Sequence, residues 1–562
     1  MIQDARLLPI DSPIDADITI IGGGAAGIAM ALAFAGGPLR IVVLESGGLD
    51  YERQTQALYR GKISGTRYEP LDLCRVRMFG GSTDKRGWAG WCKIFDDSVF
   101  EARDWVQHSG WPIAKSALAP FYRDALRTMS LPSDVEELAA VEARGGNCLP
   151  LAGVDCVNDP VAVSGAPHLA QTWLAKLKAA DNVRVILHAN VTEIETDQAG
   201  RVVKSLRFAT LDRRVFRMAP GFTVIAAGGI EAARLLLASN QTVKTGLGNQ
   251  FDWVGRCFMD HPRYAWGQIA SLNDSDRLLR YNPTLGVGQR RANRERPWDK
   301  PLFGFGIALS WEAQMRERVL GSRTWIVPVS AQGERRAGRE LREMVLWTLL
   351  RGRMPEDALM RGKLILADLP NAASAALAHL RSVAGSMTRW QFVTILEPEP
   401  NPDSRVSLDV EGEPDALGMP RVRLDWRLTP LVTRTLEVTQ RLIVADLRAL
   451  GVECFIEGAG GPRANQAHEE PRWVWHHMGT TRMSSDPRQG VVDEHCRVHG
   501  MDNLYVVGSS VFPTCSTDMP TLTLIALAHR AAAHLRERWL NGQAGVEVRN
   551  APTLAPLSLA MT

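Results

Sequence analysis

Nowhere in the 562-residue chain do about 18 uncharged apolar residues run together, the length a membrane-spanning helix needs. The opening stretch MIQDARLLPIDSPID also lacks the apolar core of a secretory signal, so a cytoplasmic location is the expectation. Charge of one sign is missing too. Lys plus Arg (65) nearly balances Asp plus Glu (62), for a formal charge of +3, which gives no reason to expect a nucleic-acid or membrane partner and favours small-molecule substrates. The eight cysteines are scattered, with no CxxC pair, which excludes a disulfide scaffold and leaves reduced, structural thiols as the expectation. His495, Cys496 and His499 lie close in sequence but have no second ligand pair, so no metal site is expected. No internal repeat or low-complexity segment stands out.

The most informative stretch spans residues 17–45, DITIIGGGAAGIAMALAFAGGPLRIVVLE. An apolar strand runs into Gly22, Gly24 and Gly27 at GxGxxG spacing, a helix opens at Ala25 and Ala26, and a second strand ends at Glu45. That order is a dinucleotide-binding βαβ unit. Gly22 permits a tight turn, Gly24 lets the backbone approach a pyrophosphate, and Gly27 allows close helix–strand packing, with the helix N-terminus facing the phosphates. Glu45 follows at the distance from which a carboxylate holds ribose hydroxyls, which favours FAD or NAD over NADP.

The length suggests two or more domains. Residues 61–127, rich in Gly, Trp and Arg, read as extended and loop-heavy. The pattern predicts a helix over 169–180 and strands at 183–187, 202–209, 215–218 and 222–226. The turn at Gly228 and Gly229 then leads into a helix over 231–238. Residues 260–470 differ in character, with alternating segments at 405–410 and 421–426 and helix-like stretches at 335–351 and 370–386. They read as a mixed, partly antiparallel domain set between two pieces of the first. After 470 come a strand (504–507), a Gly/Ser/Pro turn (508–513) and a long helix from Pro520 to about Trp539.

The C-terminal segments WHHMGTTRM, GVVDEHCRVHGMDNLYVVGSSVFPT and MPTLTLIALAHRAAAHL resemble those of the glucose-methanol-choline (GMC) flavin oxidoreductases. So do GGGAAG with Glu45, RVRMFGGST from Arg75, AAGGIEAARLLLAS from Ala226 and LGNQFDWVGRCFMDHP from Leu247. The resemblance covers nearly the whole chain and is diffuse between about 263 and 390. It implies an α/β architecture: a Rossmann-like, parallel-sheet FAD-binding domain with an inserted mixed α+β, antiparallel-sheet substrate domain. The FAD domain would comprise 1–259, with a flavin-contacting loop at 75–92, and 471–545; the substrate domain 260–470; and a tail 546–562. Beyond the glycine loop, the implied cofactor contacts are Arg75, Gly80, Gly81, Ser82, Thr83, Val191, Ala227, Gly508, Ser509, Pro520 and Thr521.

The implied reaction oxidises the CH–OH group of an alcohol or sugar-like substrate, with the electron acceptor open. His476, in the HxxGT pattern, stands at the family's active-site histidine, and histidine can accept a proton near neutral pH. His477 beside it is the other candidate. The helix starting at Pro520 and Thr521 would aim its positive end at the flavin's pyrimidine edge. Two features depart from the family. Met519 stands where Asn or His commonly bonds the catalytic histidine, so Asp518 or His477 is expected to substitute. The residues after Thr83 include no histidine for covalent attachment, so FAD is expected to be non-covalent. The loss at Met519 also leaves an alternative open, a flavin-bearing lyase of the hydroxynitrile-lyase kind in which FAD is not a redox partner.

Overall fold

The runs ITII and IVVL, apolar on both sides of the pleat, form the centre of a six-stranded parallel sheet, as expected of strands buried on both faces. A computed structural model describes residues 1–10, 13–84, 90–144, 148–164, 168–271, 275–282, 302–329, 341, 358–367, 369, 389–456, 471–517 and 519–543. The sheet order is Ile2–Asp4, Val183–Leu187, Ile41–Leu44, Ala16–Ile21, Pro220–Ile225, Leu504–Val506. The last strand is registered Thr223 against Leu504. Helix Ala25–Phe34 connects two central strands and packs against the C-terminal helix Thr521–Gln543 and against Leu169–Ala179. A three-stranded antiparallel sheet of Asn190–Thr196, Val203–Ala209 and Val215–Met218 flanks this core.

Most elements expected between 169 and 239 appear within a few residues of the predicted bounds. Gly228–Ala238 starts at the glycine turn itself, with Ala227 in the N-cap position and no side-chain cap bond. The helix-like stretches at 335–351 and 370–386 fall outside the described residues, apart from residue 341.

An eight-stranded sheet, antiparallel throughout, forms the second large layer. Its order is Glu453–Ile456, Pro262–Ser271, Arg389–Leu396, Ser322–Val329, Leu302–Leu309, Cys156–Val163, Trp91–Cys92, with Arg472–Trp473 pairing at the start of Pro262–Ser271. Its strands therefore come from three stretches of chain. Residues 405–409 and 421–426 join neither large sheet. They pair with each other and, through Arg421–Trp426, run parallel to Gly61–Gly65.

Alternation along these strands gives the large sheet two faces. Phe305, Ile307, Ile326 and Phe392 pack with Leu436, Ile443 and Leu447 of helix Pro430–Ala449 in one apolar core. The opposite face carries Val161, Val163, Trp325 and Ile395, which cluster with Trp91 and Met519. Met519 immediately precedes the C-terminal helix region, so this second face lies against the parallel-sheet half of the molecule.

All eight cysteines are buried and free of disulfides. His495 stacks on His534 with ring centroids 4.3 Å apart, and His499 Nε2 lies 2.9 Å from the Ser484 carbonyl. Among the described residues, no group of three or more His, Cys, Asp or Glu could hold a metal ion, and no helix is long and apolar enough to cross a membrane.

Candidate active site

The glycine loop is shaped by contacts that leave one position open. Gly22 adopts φ +109°, and a Cβ there would sit 2.6 Å from the Ala226 carbonyl oxygen and 3.2 Å from Ala227 Cα. A Cβ on Gly27 would come 1.9 Å from the Gly22 carbonyl oxygen, so neither glycine tolerates a side chain. Gly24 is different: a Cβ there would meet nothing within 4 Å. Gly24 caps helix Ala25–Phe34 with no side-chain cap bond and no acid in the first turn. The first-turn N–H groups and the positive helix end are thus left for an anion. An open cradle at the one glycine expected to meet the pyrophosphate fits a dinucleotide. Gly24→Ala, whose φ of −81° suits alanine, is expected to leave the melting temperature of the cofactor-free protein unchanged. It should weaken dinucleotide affinity by about tenfold or more, roughly 1.4 kcal/mol. Equal affinity in a titration would contradict the cradle.

Several expected contacts converge on this loop. Glu45, buried, accepts the Gly23 N–H at 2.7 Å through Oε2 and the Gly47 N–H at 2.7 Å through Oε1. The Gly80 N–H donates to the Gly23 carbonyl at 2.8 Å, and a Cβ on Gly81 would lie 3.2 Å from Gly24 Cα. Thr83 Oγ1 closes the same loop on the Gly80 carbonyl at 2.6 Å, while Ser82 is exposed. Val191 follows Ala189, whose N–H donates to the Glu45 carbonyl at 2.9 Å. Gly508, at φ +120°, would place a Cβ 3.7 Å from that of Ala26.

Arg75, expected among the cofactor contacts, has its guanidinium held by groups of the protein itself. Its guanidinium donates to the Leu71 carbonyl (3.0 Å), the Tyr59 carbonyl (3.2 Å) and Glu231 (2.8 Å), and lies 3.9 Å over the Tyr59 ring. Arg77 and Arg234 reach the other Glu231 oxygen, each at 3.2 Å. Burial pushes the Glu231 carboxyl up, but Arg75, Arg234 and Arg77 outweigh it and hold its pKa down at about 2. This cluster fixes the base of the loop that carries Gly80 and Gly81.

The HxxGT segment is stitched to the turn beyond the sixth parallel strand. The Gly479, Thr481 and Met483 N–H groups donate to the Ser509, Ser510 and Val511 carbonyls at 3.2, 2.8 and 2.8 Å, and Ser509 Oγ donates to the His477 carbonyl at 2.8 Å. Asp260 holds the other side. Its carboxylate accepts the N–H of Trp475 (3.1 Å), His476 (2.9 Å) and His261 (2.8 Å), and bonds Tyr68 Oη. His477 is buried, with Nε2 3.0 Å from Tyr68 Oη, inside an aromatic group of Tyr68, Phe258, Trp426 and Trp473. His476 is half-buried, and its ring meets that of His261 edge to face, centroids 5.3 Å apart.

His261 is the residue the sequence reading passed over. It is fully buried, and burial, with His476 and Arg323 adding to it, holds its pKa well below the ordinary histidine value. Its Nδ1 lies 3.2 Å from the Leu396 carbonyl, which only accepts, so Nδ1 carries the proton and Nε2 presents a lone pair. Nε2 has no hydrogen-bond partner among the described residues. Asp260 and His261 both lie in the segment from Leu247 that matched the family, but spacing alone gave them no role.

Met519 packs in the apolar cluster with Trp325 and Ile395 at φ +61°, a conformation rare outside glycine. Pro520 and Thr521, both buried, begin the long helix, and the Leu524 N–H donates to the Pro520 carbonyl at 3.0 Å. Asp518 and residues 85–89 lie outside the described residues.

Residues 400–528 match the family model for GMC oxidoreductases, and residues 17–248 that for FAD dependent oxidoreductases. The chain is 24% identical over 390 residues to the fructose dehydrogenase large subunit of Gluconobacter japonicus, covering 69% of this chain and 58% of that subunit, less than two thirds of its length. It is 23% identical over 591 residues to 6'''-hydroxyparomomycin C oxidase of Streptomyces lividus, covering 92% of each. The crystal structure of pyridoxine 4-oxidase from Mesorbium loti aligns with a TM-score of 0.53 at 17% identity over 93% of this chain and 99% of that one, a likeness of fold.

Proposed function

We propose that this chain, which belongs to the GMC oxidoreductases, oxidises the CH–OH group of an alcohol or sugar-like substrate with FAD as its cofactor. The observation that carries this reading is the turn at Gly508 and Ser509, which lies so near the glycine cradle that a Cβ on Gly508 would sit 3.7 Å from that of Ala26, and which bonds the histidine segment at the His477 carbonyl. One short turn thus couples the pyrophosphate end of a dinucleotide site to the candidate base. A relative named for fructose supports the sugar-like class. The relatives described above are a dehydrogenase and oxidases, which lends the lyase alternative no support.

In this reading residues 1–259 and 471–545 hold FAD, through the Gly22–Gly27 loop, Glu45 and the Gly80–Gly81 loop, with the long helix turned to the flavin. Residues 260–470 supply most of the substrate side. Bound FAD would supply the acceptor for the hydride that leaves carbon. His476 takes the hydroxyl proton. Asp260 fixes the backbone at 475 and 476, and the bond to Tyr68 holds His477 in a structural role, which favours His476 as the base. We assign the second polar group, missing at Met519, to His261, whose lone pair at Nε2 is an acceptor close to His476. The test is a panel of alcohols and sugars added anaerobically while the flavin band near about 450 nm is followed. Bleaching is the expected result, and product without bleaching would overturn the redox reading. We also expect acid precipitation to release the flavin into the supernatant, and flavin retained in the pellet would show covalent attachment.

A further inference from the structure

The large antiparallel sheet turns one basic residue toward the site and leaves it short of acceptors. Arg323 is completely buried. Its Nη2 bonds Asp159, but Nε and Nη1 have no hydrogen-bond partner among the described residues. Asp159 is not Arg323's alone, because its Oδ1 lies 2.7 Å from Lys93 Nζ. Arg323 and the half-buried Lys93 therefore share one buried carboxylate, and Lys93 has a second acid of its own, Asp96 at 2.7 Å, whose side chain is 59% exposed. Asp260, beside His261, is committed to four donors, and Glu397, next to Leu396, is paired with Arg103. A buried cation with unmet donors is costly unless an anion completes it.

The arginine's place is built rather than incidental. A Cβ at Gly306 would sit 2.5 Å from Arg323 Cγ, so the neighbouring strand gives up a side chain to let Arg323 lie along the sheet. Arg323 is paired across the sheet with Ile395, and Trp325 lies two residues on, so all three share the face that meets Met519. Arg323 is also among the charges acting on His261, whose ring contacts that of His476.

We propose that Arg323 receives a carboxylate of the substrate, so that the preferred substrate carries both the hydroxyl that is oxidised and a separate carboxylate. The inference rests on the oxidation proposed above and narrows its substrate class. A carboxylate's oxygens suit the open guanidinium donors, whereas a phosphate, at about −1.5 to −2, would bring more charge than one arginine answers. The Trp91 ring lies over Gly304 and the Arg323 stem over Gly306, and the rings of Trp91 and Trp325, 5.8 Å apart, make the surroundings of the guanidinium apolar.

The experiment uses FAD-loaded enzyme and matched pairs: benzyl alcohol with 4-(hydroxymethyl)benzoate, and glucose with gluconate. Anaerobic flavin reduction gives kcat/KM for each. The carboxylate-bearing member should be preferred by roughly tenfold to a hundredfold, and that ratio should collapse toward one in Arg323→Gln and be partly kept in Arg323→Lys. Should the variants fail to fold, the parent enzyme decides: acetate and benzoate should inhibit and raise its melting temperature, and acetamide and benzamide should do neither. Equal effects of acids and amides, a ratio near one in the parent, or preference for a phosphorylated partner over the carboxylate would each overturn the assignment. Reduction by neutral alcohols with no carboxylate preference sinks this inference and leaves the oxidation standing. If no hydroxy compound bleaches the flavin, the oxidation itself fails, and the acid–amide comparison still judges Arg323.

Discussion

His476→Asn should lower the rate of flavin reduction by roughly 10²–10⁴-fold, the usual loss when a positioned general base is removed, while the protein keeps its FAD. The two halves of that result separate a chemical role from a structural one. The backbone N–H of residue 476 donates to Asp260, a bond any side chain at this position retains, and the neighbouring segment is stitched to 509–511 through backbone groups. The variant should therefore fold and bind cofactor normally. His477→Asn provides the contrast. Its side chain bonds Tyr68 within an aromatic group, so its loss should show mainly as a lower melting temperature. If the histidine at 477 proves the more damaging to the rate at full cofactor loading, the assignment of the base is reversed.

Glu231→Gln is expected to destabilise the protein by about 3–5 kcal/mol, the usual range when a buried ion pair loses one partner. Three buried guanidiniums, Arg75, Arg77 and Arg234, converge on this carboxylate. Among the described residues, only Arg234 of the three has a second acid, Asp415 at 2.7 Å. The pH dependence gives an independent measure. The carboxyl is held at about 2 against an ordinary 4.5, so its contribution is fully present above about pH 4.5 and is lost as the pH falls through about 2. That difference corresponds to roughly 3 kcal/mol at about 1.4 kcal/mol per tenfold change in proton affinity. Denaturant titrations at pH 7 and pH 3 should show parent and variant drawing together as the solution is acidified. A variant as stable as the parent at pH 7 would rule out the cluster as a structural anchor.

What the sequence made legible was local. The glycine spacing, the strand before it and Glu45 lie within about one βαβ unit, and each is specified by backbone geometry a short stretch can reveal. The residues it passed over act across long separations. Tyr68 meets Asp260, 192 positions on, and His477, 409 positions on, and no periodicity registers such pairs. The motif gives the position of Arg75 but not where its guanidinium points, and Glu231, its partner, lies 156 residues away. The pairing of Gly61–Gly65 with Arg421–Trp426 was equally hidden, since a parallel pair leaves no turn signal. Met519 looked like a lost hydrogen bond, and its apolar neighbours at 91, 161, 163, 325 and 395 supply the reason for a methionine there.

The register of Thr223 with Leu504 also sets a timetable. A ribosome adding about 5–20 residues per second needs tens of seconds to make the roughly 280 residues that separate them. Throughout that interval the strand Pro220–Ile225 has its partner Ala16–Ile21 on one side and an unpaired apolar edge on the other. Such an edge is a template for pairing with another nascent chain. The yield of soluble protein should therefore respond to translation speed and to chaperones that shield strand edges, and fall when synthesis is halted before the sixth strand emerges.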